Sequence, residues 1–174
     1  MRTIVAAVAV AALCVGSAAA ELDLQSARWQ VVGRSKQESK AADVAAIPVD
    51  AQAKLLGRLH AKIKMLNRGP AVEGVLLRYA LTAQIIPAGP SDATLAPTWA
   101  VPFVVDEKRV PKIGANQYIE VDLDPTAALS LCLRRLENGG YAPKAIKLEV
   151  MAEPRKGQPA SRRLESIVPV ETGS

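Results

Sequence analysis

Histidine and cysteine are nearly absent from this chain of 174 residues, which holds one His, at position 60, and two Cys, at positions 14 and 132. A structural zinc site needs several such ligands, so none can be assembled here. Nucleophilic catalysis through a histidine would have to use His60, and nothing in the spacing supplies a nucleophile and an orienting acid around it. Aromatic residues make up only 3% of the chain: one Phe, two Trp and three Tyr. Trp29, Tyr79, Trp99 and Phe103 fall where the apolar alternation points inward. Only Tyr118 and Tyr141 remain as outward aromatic platforms, which argues against a lectin. No catalytic or cofactor motif is present, so the chain reads as a non-enzyme with no cofactor. Nucleic acid is disfavoured as a partner because no aromatic residues interleave with the cations.

Long apolar runs are also missing, except at the start. Arg2 precedes an apolar stretch from Ile4 to Val15, too short to span a bilayer comfortably, and Gly16 and Ser17 break it. Ala18-Ala19-Ala20 offers the small residues that a signal peptidase accepts, so residues 1–20 read as a cleavable signal peptide. Ala11-Ala12-Leu13 ahead of Cys14 do not form a lipobox, and no twin-arginine pair is present. The reading implies export by the general secretory route to a periplasmic or extracellular location, with no transmembrane helix once the signal is removed. Cys132 would then be the single thiol. No internal disulfide is possible, and stability must come from packing.

What the sequence does have is alternation. Leu22, Leu24, Trp29 and Val31 suggest a first strand, and residues 34–53 read as a long connection with a helical turn around Lys40 to Ala46. Leu59, Ala61, Ile63 and Met65 share one face of a second strand, with Arg58, His60, Lys62 and Lys64 on the other. Asn67-Arg68-Gly69-Pro70 has turn chemistry. The chain then returns with Val75, Leu77, Tyr79, Leu81, Ala83 and Ile85 on one face. These two strands are expected to pair as a long hairpin. Trp99, Val101, Phe103 and Val105 suggest a strand turned inward on that face, with Pro102 placing it at an edge or a bulge. Ile119, Val121 and Leu123 mark another. Asp124-Pro125 opens a short helix whose apolar stripe is Leu129, Cys132, Leu133 and Leu136, closed by Asn138-Gly139-Gly140. Cys132 is thus expected to be a buried small hydrophobe. Ile146, Leu148 and Val150 make a last inward strand. From Pro154 onward the chain turns polar and basic.

This pattern predicts an all-β, antiparallel β-sandwich with one short inserted helix, spanning residues 21–153, followed by a frayed tail at 154–174 in which Ile167, Val168 and Val170 offer an edge strand. The run KIKMLNRGPAVEGVLLRYAL (Lys62–Leu81) and the later IGANQYIEVDL (Ile113–Leu123) resemble the strands and Gly-containing turns of bacterial Ig-like domains of the CARDB type. The resemblance implies an Ig-like fold and an accessory, adhesive or assembly module; it carries over no functional residue.

Two surface constellations remain. Arg58, His60, Lys62 and Lys64, with Arg78 expected on the paired strand, make a basic face without an acid among them. Its partner would be an anionic envelope polymer or lipid, unless Glu120 and Asp122 from a neighbouring strand neutralise it. Glu120, Asp122 and Asp124 alternate along one face and are a candidate calcium site, against the simpler reading of a solvated face ending in a helix cap. The basic excess, a formal net charge of +5, favours solubility and weak attraction to anions without naming one. The function expected is therefore a binding or assembly module of the cell envelope with an envelope protein as partner, and docking to an anionic envelope surface is the alternative.

Overall fold

The computed structural model of the protein describes residues 21–33, 41–89, 95–153 and 160–172. The leader expected at residues 1–20 lies outside them. Ten strands and one helix follow in order: β1 (Leu22–Val32), β2 (Ala41–Asp43), β3 (Ile47–Val49), β4 (Arg58–Asn67), β5 (Val72–Pro87), β6 (Thr98–Trp99), β7 (Val104–Ile113), β8 (Tyr118–Leu123), α1 (Thr126–Asn138), β9 (Tyr141–Glu153) and β10 (Leu164–Thr172). One sheet has the order β2-β1-β4-β8. The other runs β3-β10-β9-β5-β6, with β7 also on β5. Their apolar faces meet in one core that includes Trp29, Ile63, Leu77, Val121, Leu133 and Leu148. The protein is an all-β sandwich, with one helix among the described residues. Every strand pair among those residues is antiparallel except β3 with β10.

The inward faces of β4, β8 and β9 follow the alternation. Leu59, Ala61, Ile63 and Met65 are all at most 1% exposed. In β1 a bulge between Leu24 and Ser26 shifts the inward parity, so that Leu22, Leu24 and Trp29 are all buried. Trp29 Nε1 donates to Ser166 Oγ at 3.1 Å and ties β1 to β10 across the sandwich.

Four expectations need correction. First, β4 and β5 do not form a hairpin. β4 lies between β1 and β8 in one sheet, while β5 lies between β9 and β6/β7 in the other. The 68–71 connection is a corner that carries the chain from sheet to sheet. Asn67, fully buried, makes that corner: its Nδ2 donates to the carbonyls of Pro70 (2.7 Å) and Gly114 (2.9 Å), and its Oδ1 accepts from Gly69 N (3.1 Å). Second, the helical turn expected around Lys40 to Ala46 is replaced by β2 at Ala41–Asp43, which pairs with the end of β1. Third, the inward strand through Trp99, Val101 and Val105 is two pieces. Val101 and Pro102 bulge outward between β6 and β7, and Val101 is 83% exposed. Fourth, the chain beyond Pro154 is not frayed at Leu164–Thr172. β10 lies inside its sheet, because Val168 is buried and both of its edges find partners, β9 and β3.

Helix α1 closes the sandwich against β9 and β4, with Leu129 and Leu133 buried and Cys132 and Leu136 packed against the core. Its start is pinned by Thr126. The Thr126 hydroxyl donates to Leu59 O and accepts from Leu59 N, both at 3.0 Å, and so stands in for the next strand partner of β4 after Ala61 pairs with Leu123. Asp124 Oδ1 accepts from Thr126 N at 3.1 Å, two positions ahead of the first helical residue; the N-cap position itself is Pro125. No helix among the described residues is long and apolar enough to cross a membrane.

Candidate functional site

The basic row keeps its outward face on β4, but its surroundings differ from those the charges alone imply. Because β8 pairs with β4, Lys62 stands opposite Asp122 and Lys64 opposite Glu120. Asp122 takes both Lys62 Nζ at 3.2 Å and His60 Nδ1 at 3.0 Å. Glu120 takes Arg28 of β1 at 2.7 Å, and Arg28 also reaches Asp43 at 3.8 Å. Lys64 Nζ lies 4.6 Å above the centre of the Tyr118 ring. Arg78 belongs to the other sheet, where it meets Glu153 at 3.2 Å and Glu107 at 4.0 Å. Of the five residues, Arg58 and Lys64 make no ion pair among the described residues; Lys64 lies over the Tyr118 ring, and the Asp124 carboxylate is close enough to Arg58 to feel its charge. The five are therefore not one surface, and four of them form a mixed, nearly neutral stripe with their acidic neighbours. Such half-exposed pairs contribute about 0.2–1 kcal/mol each.

The same pairs divide the three carboxylates. Glu120 faces Arg28, Asp122 faces Lys62 and His60, and Asp124 serves Thr126 at the helix start. Burial pushes the Asp124 carboxyl up, but the Thr126 hydrogen bonds outweigh this, with smaller help from His60 and Arg58, and it ends below the usual carboxylate value. Among the described residues no group of three acidic, His or Cys side chains converges on a point where a metal ion would sit. Cys132 is half-buried, and burial pushes its thiol up, Arg135 opposing weakly, which suits a packing residue better than a nucleophile.

Tyr79 is the one strongly perturbed phenol. Its hydroxyl donates to Asp106 Oδ2 at 3.1 Å, and burial first, then the Asp106 contact, push its pKa up to about 12. Because the folded value exceeds the unfolded value of about 10, this group supports the fold at lower pH. Its contribution is lost as pH rises through that window. Absorbance at 295 nm at pH 11 should fall short of the full tyrosinate amplitude in the wild type; Tyr79→Phe should remove the shortfall, and Asp106→Asn should reduce it, since burial remains. Complete phenol ionisation of folded wild type at that pH would contradict the contact.

Two surfaces that alternation concealed are the most distinctive. One is the edge formed by 95–105. None of its residues is buried; Leu95 is 53%, Trp99 39%, Val101 83% and Val105 79% exposed. Trp99 sits opposite Gln84 on β5, with Lys147 Nζ 5.1 Å from its ring centre, so the indole is held in place while one side stays open. The near-continuous apolar run LAPTWAVPFVV was the sequence signal for this edge, obscured because alternation points Trp99, Val101 and Val105 inward, whereas of the odd positions 99–105 only Phe103 packs against the core.

The other is a cleft of about 630 Å³ between the 50–56 loop and the outer side of α1. Asp50, Lys54 and Leu56 line one wall; Ala127, Leu131 and Arg134 line the other. The loop is tightly clipped. Asp50 Oδ1 accepts from Gln52 N (2.9 Å) and Lys54 N (2.8 Å), and Asp50 N donates to Lys54 O (2.8 Å). Gly57 then returns the chain to β4 at φ 125°, where a Cβ would lie 2.7 Å from Val31 Cγ1 and 2.8 Å from Val32 O. Only glycine fits there.

Comparison of the sequence with protein-family models and with curated protein sequences finds no match in either.

Proposed function

We propose that this protein is an exported, non-enzymatic binding module of the cell envelope, and that it holds a protein partner through the apolar edge at 95–105. The observation that carries the reading is that edge itself. A run of eleven residues with Leu, Trp, Phe and five Val or Pro side chains, none of them buried and only Phe103 and Val104 packed partly against the core, is unusual on a soluble monomer unless another surface covers it. An exposed Trp held by a neighbouring lysine is the kind of rigid anchor on which protein interfaces concentrate their energy. The signal-like residues 1–20 and the resemblance of Lys62–Leu81 to CARDB-type domains favour export and an accessory role.

The alternative, docking on anionic polymers or lipids through Arg58, His60, Lys62, Lys64 and Arg78, has less support, because acidic neighbours offset most of those charges. The two readings respond differently to substitution. Val101→Asp with Val105→Asp should release the protein from an envelope fraction at all salt concentrations, with an unchanged urea midpoint, since both side chains face solvent. Replacing Arg58, Lys62 and Lys64 by Gln should leave retention unaltered. Retention lost only in the Gln variant, and only at low salt, would favour the anionic surface instead.

A further inference from the structure

We propose that the cleft between the 50–56 loop and α1 is a binding site for a small amphipathic monocarboxylate, separate from the apolar edge. Its volume of about 630 Å³ lies within the range of about 300–1,000 Å³ typical of small-molecule sites. Both walls are fixed before any ligand arrives. The loop wall is held by the Asp50 hydrogen bonds, and the helix wall by buried Leu129 and Leu133 and by the Thr126 bonds to Leu59. A site with rigid walls does not spend ligand affinity on ordering itself.

The lining selects an apolar body with one negative head. Leu56 and Leu131, 48% and 38% exposed, stand on opposite walls, and Ala127 and Ser130 leave room between them. The cations are Lys54 and Arg134, one on each wall, and neither makes an ion pair among the described residues; the Lys54 amine reaches only the Gln52 amide oxygen, at 3.1 Å. Of the two carboxylates in the lining, Asp50 already accepts two backbone N–H bonds at one oxygen. Its charge remains, so the lining is formally neutral, with Lys54 and Arg134 against Asp50 and Glu137, and the Arg134 guanidinium is a cation with no ion pair among the described residues. One carboxylate would occupy that open fork, and a dianion would add a second charge with no such fork to meet it. An alkyl or aryl chain would lie between Leu56 and Leu131, and its carboxylate would meet the planar fork of Arg134, which matches that group geometrically.

The test uses three probes that share one chain: decanoate, decanol and decyltrimethylammonium, each titrated into the protein while amide shifts are followed by NMR. Decanoate should bind saturably, with shifts confined to 50–57 and 127–138, and about tenfold more tightly than decanol, the scale of one charge-assisted pair. The cationic probe should bind more weakly still. Arg134→Gln should bring decanoate down to the level of decanol without changing decanol itself. Leu131→Asp should abolish both, and unchanged urea midpoints would show that each variant is folded. Equal affinity for all three probes, unaltered decanoate binding in Arg134→Gln, shifts centred elsewhere, or no saturable binding would each overturn the proposal. None of these outcomes bears on the 95–105 edge.

Discussion

Asn67→Ala should destabilise the protein by about 2–4 kcal/mol, a large effect for removing one amide. Asn67 is completely buried and uses both ends of its side chain, donating to the carbonyls of Pro70 and Gly114 and accepting from Gly69 N. Alanine would remove all three hydrogen bonds of the corner, each worth about 0.5–1.5 kcal/mol. Asp at the same position keeps an acceptor for Gly69 N but has no donor while ionised, and it places a charge in the core. Asn67→Asp should therefore be at least as damaging as alanine. Urea unfolding followed by far-UV circular dichroism measures both. If the 68–71 segment were an exposed hairpin turn, both substitutions would change stability by less than about 0.5 kcal/mol, as ordinary surface changes do.

Leu77→Ala should cost about 2–5 kcal/mol, the usual range for a truncated core leucine. Leu77 is 0% exposed, pairs with Ala152 on β9 and Lys108 on β7, and lies in the same inward row as Val75 and Leu81. The scale of the loss depends on how far the surroundings can close over the cavity. β5 is held on both edges, so little collapse is expected. Leu56→Ala provides the contrast: its side chain is 48% exposed, and the change should stay within about 0.5 kcal/mol. Equal losses for the two leucines would mean that the inward parity of β5 is wrong by one residue.

The faces of the strands were legible because alternation is a local property. Each residue of β4 or β9 reports its own side without knowing which strand lies beside it. Strand partnership is not local, and there the reading failed. Asn-Arg-Gly-Pro serves a hairpin turn and a corner equally well. The discriminating signal was small: Met65, Leu66 and Asn67 are buried in succession, which breaks the period of two where the chain dives between sheets. Once β4 belongs to the other sheet, Arg78 cannot join His60, and β8 brings Glu120 and Asp122 beside the basic row. The neutralised stripe was therefore foreseeable as an alternative but not decidable. β10 was similar. Its Glu165, Ser166 and Pro169 read as a polar tail, and only the placement of β9 and β3 on its two edges makes Leu164–Thr172 a strand. The helix was legible to within a residue because its signals, Asp124-Pro125 at the start and Gly139-Gly140 at the end, are local. The cleft was not legible, because it needs the 50–56 loop and α1, far apart in sequence, to face each other.

Site-specific photo-crosslinking in the protein's native cells tests the central functional claim most directly. A photoreactive residue placed at Val101, and separately at Lys64, reports what touches the apolar edge and what touches the charged stripe of β4. The expected result is one discrete, protease-sensitive adduct from Val101 that persists in high salt, with none from Lys64. An adduct from Lys64 with nothing at Val101 would contradict the account and return the function to the charged face.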